Sequence, residues 1–293
     1  MAKGAAKMTT LRSLWRVTSL VLALAPLLAA PAWAGPIFLT GHDPDFHCQD
    51  SAGACNLLRA GLSFVTNGTY NSGVQKFLWV ESFLAPTGGH RVGELGLTTL
   101  GLTLGTNFDW VNAAGLAGVN FSNYSAIAIA SSFGGMLTQA ELNALIARST
   151  DITNYVNAGG GLLALAECFP SSGSCLADTL VGPDPHLYGY LPVTVSSIPP
   201  TPPFNVTAFG AGAPFFLTNG DVNDPTHNSF GLIGGLTPLD LDSGISHQAT
   251  TLAGIVQIGG GGFNQVAEPA SLLLLASGIA GLAVFSRRRR PRI

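Results

Sequence analysis

Two imidazoles and two carboxylates fall within one short stretch, Gly41-His42-Asp43-Pro44-Asp45-Phe46-His47. Imidazole nitrogens and carboxylate oxygens together can hold zinc, manganese or calcium. His42, Asp43, Asp45 and His47 are therefore the first candidates for a divalent-metal or ligand site, with calcium and zinc the ions to consider. The same residues also suit a plain turn, because Asp-Pro favours turns and an Asp side chain caps nearby backbone amides. Two other acid-rich turns, Asp221-Val222-Asn223-Asp224 and Asp240-Leu241-Asp242, do not reproduce an EF-hand loop and read as ordinary solvated loops. His90, His227 and His247 stand alone and read as isolated surface or core histidines.

The cysteines form two equally spaced pairs, Cys48 with Cys55 and Cys168 with Cys175. In an oxidising compartment the simplest reading is two local disulfides, 48–55 and 168–175. Zinc is the rival, but C-x6-C is wider than the spacing of structural zinc sites. A reactive thiol at Cys168 is the third option; it needs a histidine base, and His186 and His247 lie downstream.

The elements that must position these groups follow from apolar patterning. Pro36-Ile37-Phe38-Leu39-Thr40 is a short apolar run stopped by Gly41, which predicts a buried strand ending at the histidine-aspartate loop. Leu57, Leu58, Leu62 and Val65 recur at helical spacing over 52–65. Further strands are predicted at 77–80, 125–130 and 162–166, with a weaker helix over 89–100. Thr138 and Glu141 form a capping box that opens a helix over 139–157, and Gly159-Gly160-Gly161 ends it. Strands separated by helical patterns predict a parallel α/β sheet. Beyond Cys175 the prolines multiply and the chain reads as irregular and β-rich, with strand-like pieces at 187–195 and 215–217 and a last strand over 251–258.

Both ends read as addresses. Lys3, Lys7, Arg12 and Arg16, an apolar stretch over 20–30 and Ala32-Trp33-Ala34 make a secretory signal peptide, with Gly35 as the mature start. The tail runs Val266-Ala267-Glu268-Pro269, then an apolar stretch from Ala270, then Arg287-Arg288-Arg289-Arg290. Residues 270–286 can just span a bilayer core of about 30 Å, and the arginines stay on the cytoplasmic side. The body between the ends holds four basic residues against fifteen acids, a balance of −11, which excludes nucleic acid as a partner.

Two resemblances add to this reading. The tail resembles the PEP-CTERM signal handled by exosortases, with Ala267 standing where the usual pattern has its first proline. The segments Asn123–Ala130, Leu137–Leu142 and Tyr155–Leu165, including Val156-Asn157-Ala158-Gly159-Gly160-Gly161-Leu162, resemble the class I glutamine-amidotransferase-like fold. That resemblance implies a flavodoxin-like, three-layer parallel sheet over roughly 36–168, and a nucleophile turn near Ala166. Cys168 is two residues beyond that place and Glu167 lies between, so both are weak catalytic candidates.

The expected organisation is a signal peptide (1–34), an exported α/β domain (35–258), a linker (259–267) and a PEP-CTERM-like sorting signal (268–293). The expected partners are the Sec translocon, signal peptidase, an exosortase, the inner membrane and exopolysaccharide. The function implied is an exported envelope or extracellular-matrix protein. It is tethered by its C-terminal helix before exosortase processing, and its amidotransferase-like domain is non-catalytic. Two alternatives are a metal-dependent envelope hydrolase or carbohydrate-active enzyme built on the His42–His47 loop, and a calcium-dependent adhesion module.

Overall fold

The strands of the main sheet are apolar runs buried at every position: Pro36–Thr40, Phe77–Val80, Ala126–Ile129 and Gly161–Ala164. Runs buried on both faces belong to parallel strands covered by helices on either side. The computed structural model describes residues 34–82, 94–132, 137–167, 187–244, 247–256 and 258. Among the described residues no helix is long and apolar enough to cross a membrane. The signal peptide up to Trp33, the sorting tail with Glu268, Pro269 and Arg287–Arg290, and the Cys168–Cys175 pair lie outside the described residues. The chain divides into two units after Val256.

In chain order the first half runs β1 (Pro36–Thr40), α1 (Pro44–His47), α2 (Ala52–Val65), β2 (Phe77–Val80), α3 (Glu94–Thr99), β3 (Phe108–Val111) and α4 (Ala113–Leu116). A 3-10 turn (Phe121–Asn123), β4 (Ala126–Ile129), α5 (Gln139–Ala147), α6 (Ser149–Asn157) and β5 (Gly161–Ala164) follow. The second half is β6 (Val195–Ile198), β7 (Phe204–Val206), α7 (Ala208–Ala211), β8 (Ser229–Ile233), β9 (Thr237–Pro238), β10 (Asp240–Asp242) and β11 (Thr251–Ile255).

The main sheet has the order β3-β2-β4-β5-β1-β11-β9. The first five strands pair in parallel, and β11 and β9 close one side antiparallel. The expectation of a mainly parallel α/β sheet is met. The crossovers from β1 to β2 and from β2 to β3 run one way along the sheet; those from β3 to β4 and from β4 to β5 run back. Right-handed crossovers then put α2 and α3 on one face and α4, α5 and α6 on the other. Leu57, Leu58, Leu62 and Val65 of α2 pack on Phe38, Trp79 and Leu163 of the sheet.

Several elements differ from their sequence patterns. The single helix expected over 139–157 is two, α5 and α6, meeting at Arg148, which leaves the helical basin at φ −107° and ψ 15°. The Arg148 guanidinium explains the break: it donates to the Leu116 and Val119 carbonyls and lies 4.1 Å from the Phe121 ring centroid. The capping box of Thr138 and Glu141 forms as expected. Strand β3 was not signalled, because Asp109 interrupts its apolar run; on this sheet edge Asp109 takes a 2.7 Å bond from Lys76. The pieces expected at 187–195 and 215–217 are mostly turns, and the real strands there are β6, β7, β8 and β10 in two small sheets.

The acid-rich turns are not solvated loops. Asp221 and Asp240 are buried and cap backbone: Asp221 accepts from Thr218 N at 2.7 Å, and Asp240 Oδ1 from Thr250 N at 2.7 Å and Thr251 N at 3.1 Å. Burial pushes the Asp240 carboxyl up to about 6, against the partial offset of these bonds. A raised carboxyl favours the folded state below its unfolded value of 3.8, and this contribution is lost as pH rises towards 6. Asp240→Asn keeps the accepting Oδ1 and removes the titration. Its unfolding free energy relative to the parent is therefore expected to rise by up to about 3 kcal/mol between pH 4 and pH 7 in urea titrations; a flat difference would refute the assignment.

Cys48 and Cys55 form the expected disulfide, with a sequence separation of 7. It ties the C-cap of α1 to the first turn of α2. Replacing both cysteines by serine is expected to cost about 2–3 kcal/mol by urea unfolding, the loop-closure value for so short a span.

Candidate functional site

Four parallel strands deliver polar residues to one edge of the sheet. Just past their carboxyl ends come Gly41 to His47 after β1, Glu81 after β2, Ser131 and Ser132 after β4, and Ala166 and Glu167 after β5. Open α/β sheets bind ligands at this edge, where loops diverge beyond the strand ends.

The loop after β1 holds its shape by backbone pairing with a distant segment. Gly41 O accepts from His227 N at 2.8 Å and from Asn228 N at 3.3 Å, and His42 bridges to Thr226. The approach is so close that a Cβ on Gly41 would stand 1.7 Å from the Asn228 carbonyl oxygen. On the other side α3 presses on the loop, with a Cβ on Gly96 falling 2.2 Å from Asp45 O.

This pairing brings His227 to the loop. Asp43 Oδ1 lies 2.9 Å from His227 Nε2, and Asp43 Oδ2 lies 3.5 Å from His47 Nε2. One ligand atom from each of Asp43, His47 and His227 fits within 4.8 Å of the others. Asp43 is fully buried, the His227 side chain is 7% exposed and that of His47 is 23% exposed, so the cluster opens on the His47 side. Asp224 lies close to both Asp43 and His47, and its side chain accepts from Ser51 Oγ at 2.9 Å. The donor set of two imidazoles and a carboxylate fits a divalent metal.

The other two residues of the expected quartet turn away. His42 Nδ1 faces Pro225 O at 3.3 Å and Thr226 Oγ1 at 3.2 Å. Burial lowers His42 to about 4, outweighing the raising effect of the Pro225 contact, so its ring is neutral. Asp45 Oδ2 accepts from Ser131 N at 2.9 Å and Ser131 Oγ at 3.1 Å, tying the loop to the end of β4. Burial, followed by the nearby Asp43, raises the Asp45 carboxyl to about 7.

Glu167 is fully buried and hydrogen-bonded. Its Oε2 accepts from Tyr188 N at 2.5 Å, and Glu167 N donates to Tyr188 Oη at 3.0 Å. The Tyr188 hydroxyl also reaches Leu165 O and Asn228 Oδ1, each at 3.2 Å. This lock holds Tyr188 at φ 58°, a left-handed value unusual for a bulky residue. Burial and the Glu167 charge push the Tyr188 hydroxyl well above its ordinary range. Ala166, where an amidotransferase nucleophile is expected, is buried, donates its N–H to His42 O at 3.0 Å and accepts from Ser132 N at 2.8 Å. Cys168 and His186 lie outside the described residues; His247 is exposed and belongs to no cluster among them.

His227 is the member that sequence reading missed. One signal was present: Asp224-Pro225-Thr226-His227 repeats the Asp-Pro turn with a following histidine seen in Asp43-Pro44-Asp45-Phe46-His47. A separate cleft of about 430 Å³ opens among residues that precede β2, β4 and β5, including Gln75, Tyr124, Tyr155 and Gly160. It carries no charged side chain and is distinct from the histidine-aspartate edge. Compared with protein-family models, curated proteins and solved structures, the chain matches none of them.

If the Gly41 approach builds the site, Gly41→Ala must part β1 from residues 226–228. We expect it to lower the unfolding free energy by about 1–3 kcal/mol in urea titrations. A variant as stable as its parent would show that the contact is dispensable.

Proposed function

We propose that this is an exported, envelope-associated protein whose α/β domain is an amidotransferase-like scaffold that binds rather than performs amidotransferase chemistry. The observation that carries the binding reading lies at Ala166. Ala166, near where the resemblance puts the nucleophile turn, is buried with its backbone committed to His42 and Ser132, and the adjoining Glu167 is locked to Tyr188. The strand order supports the scaffold: counted from β2, the strands follow the first four places of the flavodoxin order 2-1-3-4-5, with β1 in the fifth.

Export rests on the two terminal addresses and is supported by the Cys48–Cys55 disulfide, which suits an oxidising compartment. In this reading the Sec machinery and signal peptidase release the N-terminus. The C-terminal helix then parks the domain at the inner membrane, and an exosortase passes it to the cell surface or an exopolysaccharide matrix. A second reading, a metal-dependent envelope hydrolase or carbohydrate-active enzyme, is favoured by one observation, the convergence of Asp43, His47 and His227.

A compartment-sensitive reporter fused after residue 260 tests the export reading. Activity is expected only outside the cytosol, and the intact mass of the recovered protein should lack residues 1–34. A cytosolic reporter would overturn the proposal.

A further inference from the structure

The chemistry of the β1 edge can be specified further, on the reading that this edge binds a ligand. Asp43 is fully buried, and its oxygens are shared between two imidazoles from segments far apart in sequence. Asp45 and Asp224 bring two further acidic side chains close to it. The described basic side chains are engaged elsewhere: Lys76 with Asp109, Arg148 with Asp151, and Arg59 with Asn56 on the surface. A buried carboxylate among other carboxylates is costly without a compensating cation.

We infer that Asp43, His47 and His227 bind one divalent transition-metal ion of the zinc class. Zinc ligands about 2.0–2.2 Å from the ion in a tetrahedron stand roughly 3.3–3.6 Å apart. Of the two observed donor separations, 3.5 Å lies within that range and 2.9 Å somewhat below it, so small side-chain shifts admit the ion. The donor chemistry selects against calcium and magnesium, which take oxygen ligands; imidazole nitrogen suits zinc, copper, iron and nickel. Three protein ligands leave a position open for water or a ligand group. The partly exposed His47 marks the side from which it would enter.

The scaffold around the three ligands supports this use. Asp43 and His47 flank the single turn of α1, and the Cys48–Cys55 disulfide fixes the end of that turn directly after His47. His227 is held by its own backbone N–H on Gly41 O, independently of its ring. The backbone of all three residues is thus positioned by main-chain and covalent contacts.

The test uses the full chain, without a polyhistidine tag, purified without chelator and analysed for metals by mass spectrometry. Chelator-stripped protein is then titrated separately with Zn²⁺, Ca²⁺ and Mg²⁺ by calorimetry. About one zinc per chain is expected, with no calcium or magnesium competing for the same site. His47→Ala and His227→Ala are each expected to weaken zinc binding at least about tenfold, whereas His247→Asn leaves it unchanged. If either alanine variant fails to fold, the Co²⁺-loaded parent decides: visible absorption bands of a four- or five-coordinate ion support the site, and a six-coordinate aquo-like spectrum overturns it. Absence of zinc binding by the stripped parent overturns the inference and leaves Asp43 as a hydrogen-bonded structural partner of two histidines. So does undiminished binding by well-folded His47→Ala and His227→Ala. Neither result bears on export, which the reporter fusion reads separately.

Discussion

The paired central strand β1 is the constraint on which the rest of this structure depends. It lies between β5, parallel to it, and β11, antiparallel to it, and all five of its residues are buried. Its position is over-determined: two ladders fix its register, and α2 covers it through Leu57, Leu58 and Leu62. The chain leaving β1 therefore has little freedom in where it places the next seven residues. Gly41 alone allows residues 227 and 228 to dock against that exit, and with them comes His227. A buried apolar strand thus sets the position of the histidine-aspartate cluster.

Electrostatics gives the edge its character. Acids outnumber bases heavily between the two terminal addresses, yet the domain buries several of its carboxylates. Most are stabilised by backbone amides: Asp221 and Asp240 serve as caps, Glu141 closes a capping box, and Glu167 takes the amide of Tyr188. Such bonds replace the lost hydration of a carboxylate and make its burial tolerable. Asp43 differs from this group. Its neighbours are imidazoles and further carboxylates, which is the composition of a metal-binding set more than of a cap. The contrast within one domain separates the carboxylates held by backbone amides from the one held among imidazoles.

The antiparallel half serves this edge as well. Strand β11 joins the sheet beside β1, and Asp240 fastens the start of β11 through Thr250 and Thr251. The turn that carries Asp224 to His227 packs between that half and the β1 exit, with Asp224 bonded to Ser51 at the N-cap of α2. Proline-rich, irregular chain is well suited to this task. It need not supply long ladders, only a rigid return path that closes over the sheet edge.

Much of the architecture was legible in the amino-acid order because it depends on local patterns. Apolar runs of four or five residues marked β1, β2, β4 and β5; a 3.6-residue spacing marked α2; Thr138 with Glu141 marked the start of α5. The close Cys48–Cys55 spacing marked a local crosslink, and His42 to His47 marked the loop with chemical potential. What the sequence withheld depends on distance. Arg148 breaks a helix by reaching carbonyls about thirty residues earlier. Asp109 sits in a strand because an edge position lets Lys76 meet it. The assignment of roles within the histidine-aspartate loop was also beyond local reading, since Asp45 turns to Ser131 and His42 to Pro225 only once β4 and residues 224–228 are in place. His227 joins Asp43 across the same fold, beside a bridge between His42 and Thr226, which are 184 residues apart. Periodicity and propensity are properties of neighbouring residues and can be read one window at a time. The convergence of donor atoms is set by how the sheet pairs and packs, and no window of the chain contains that information.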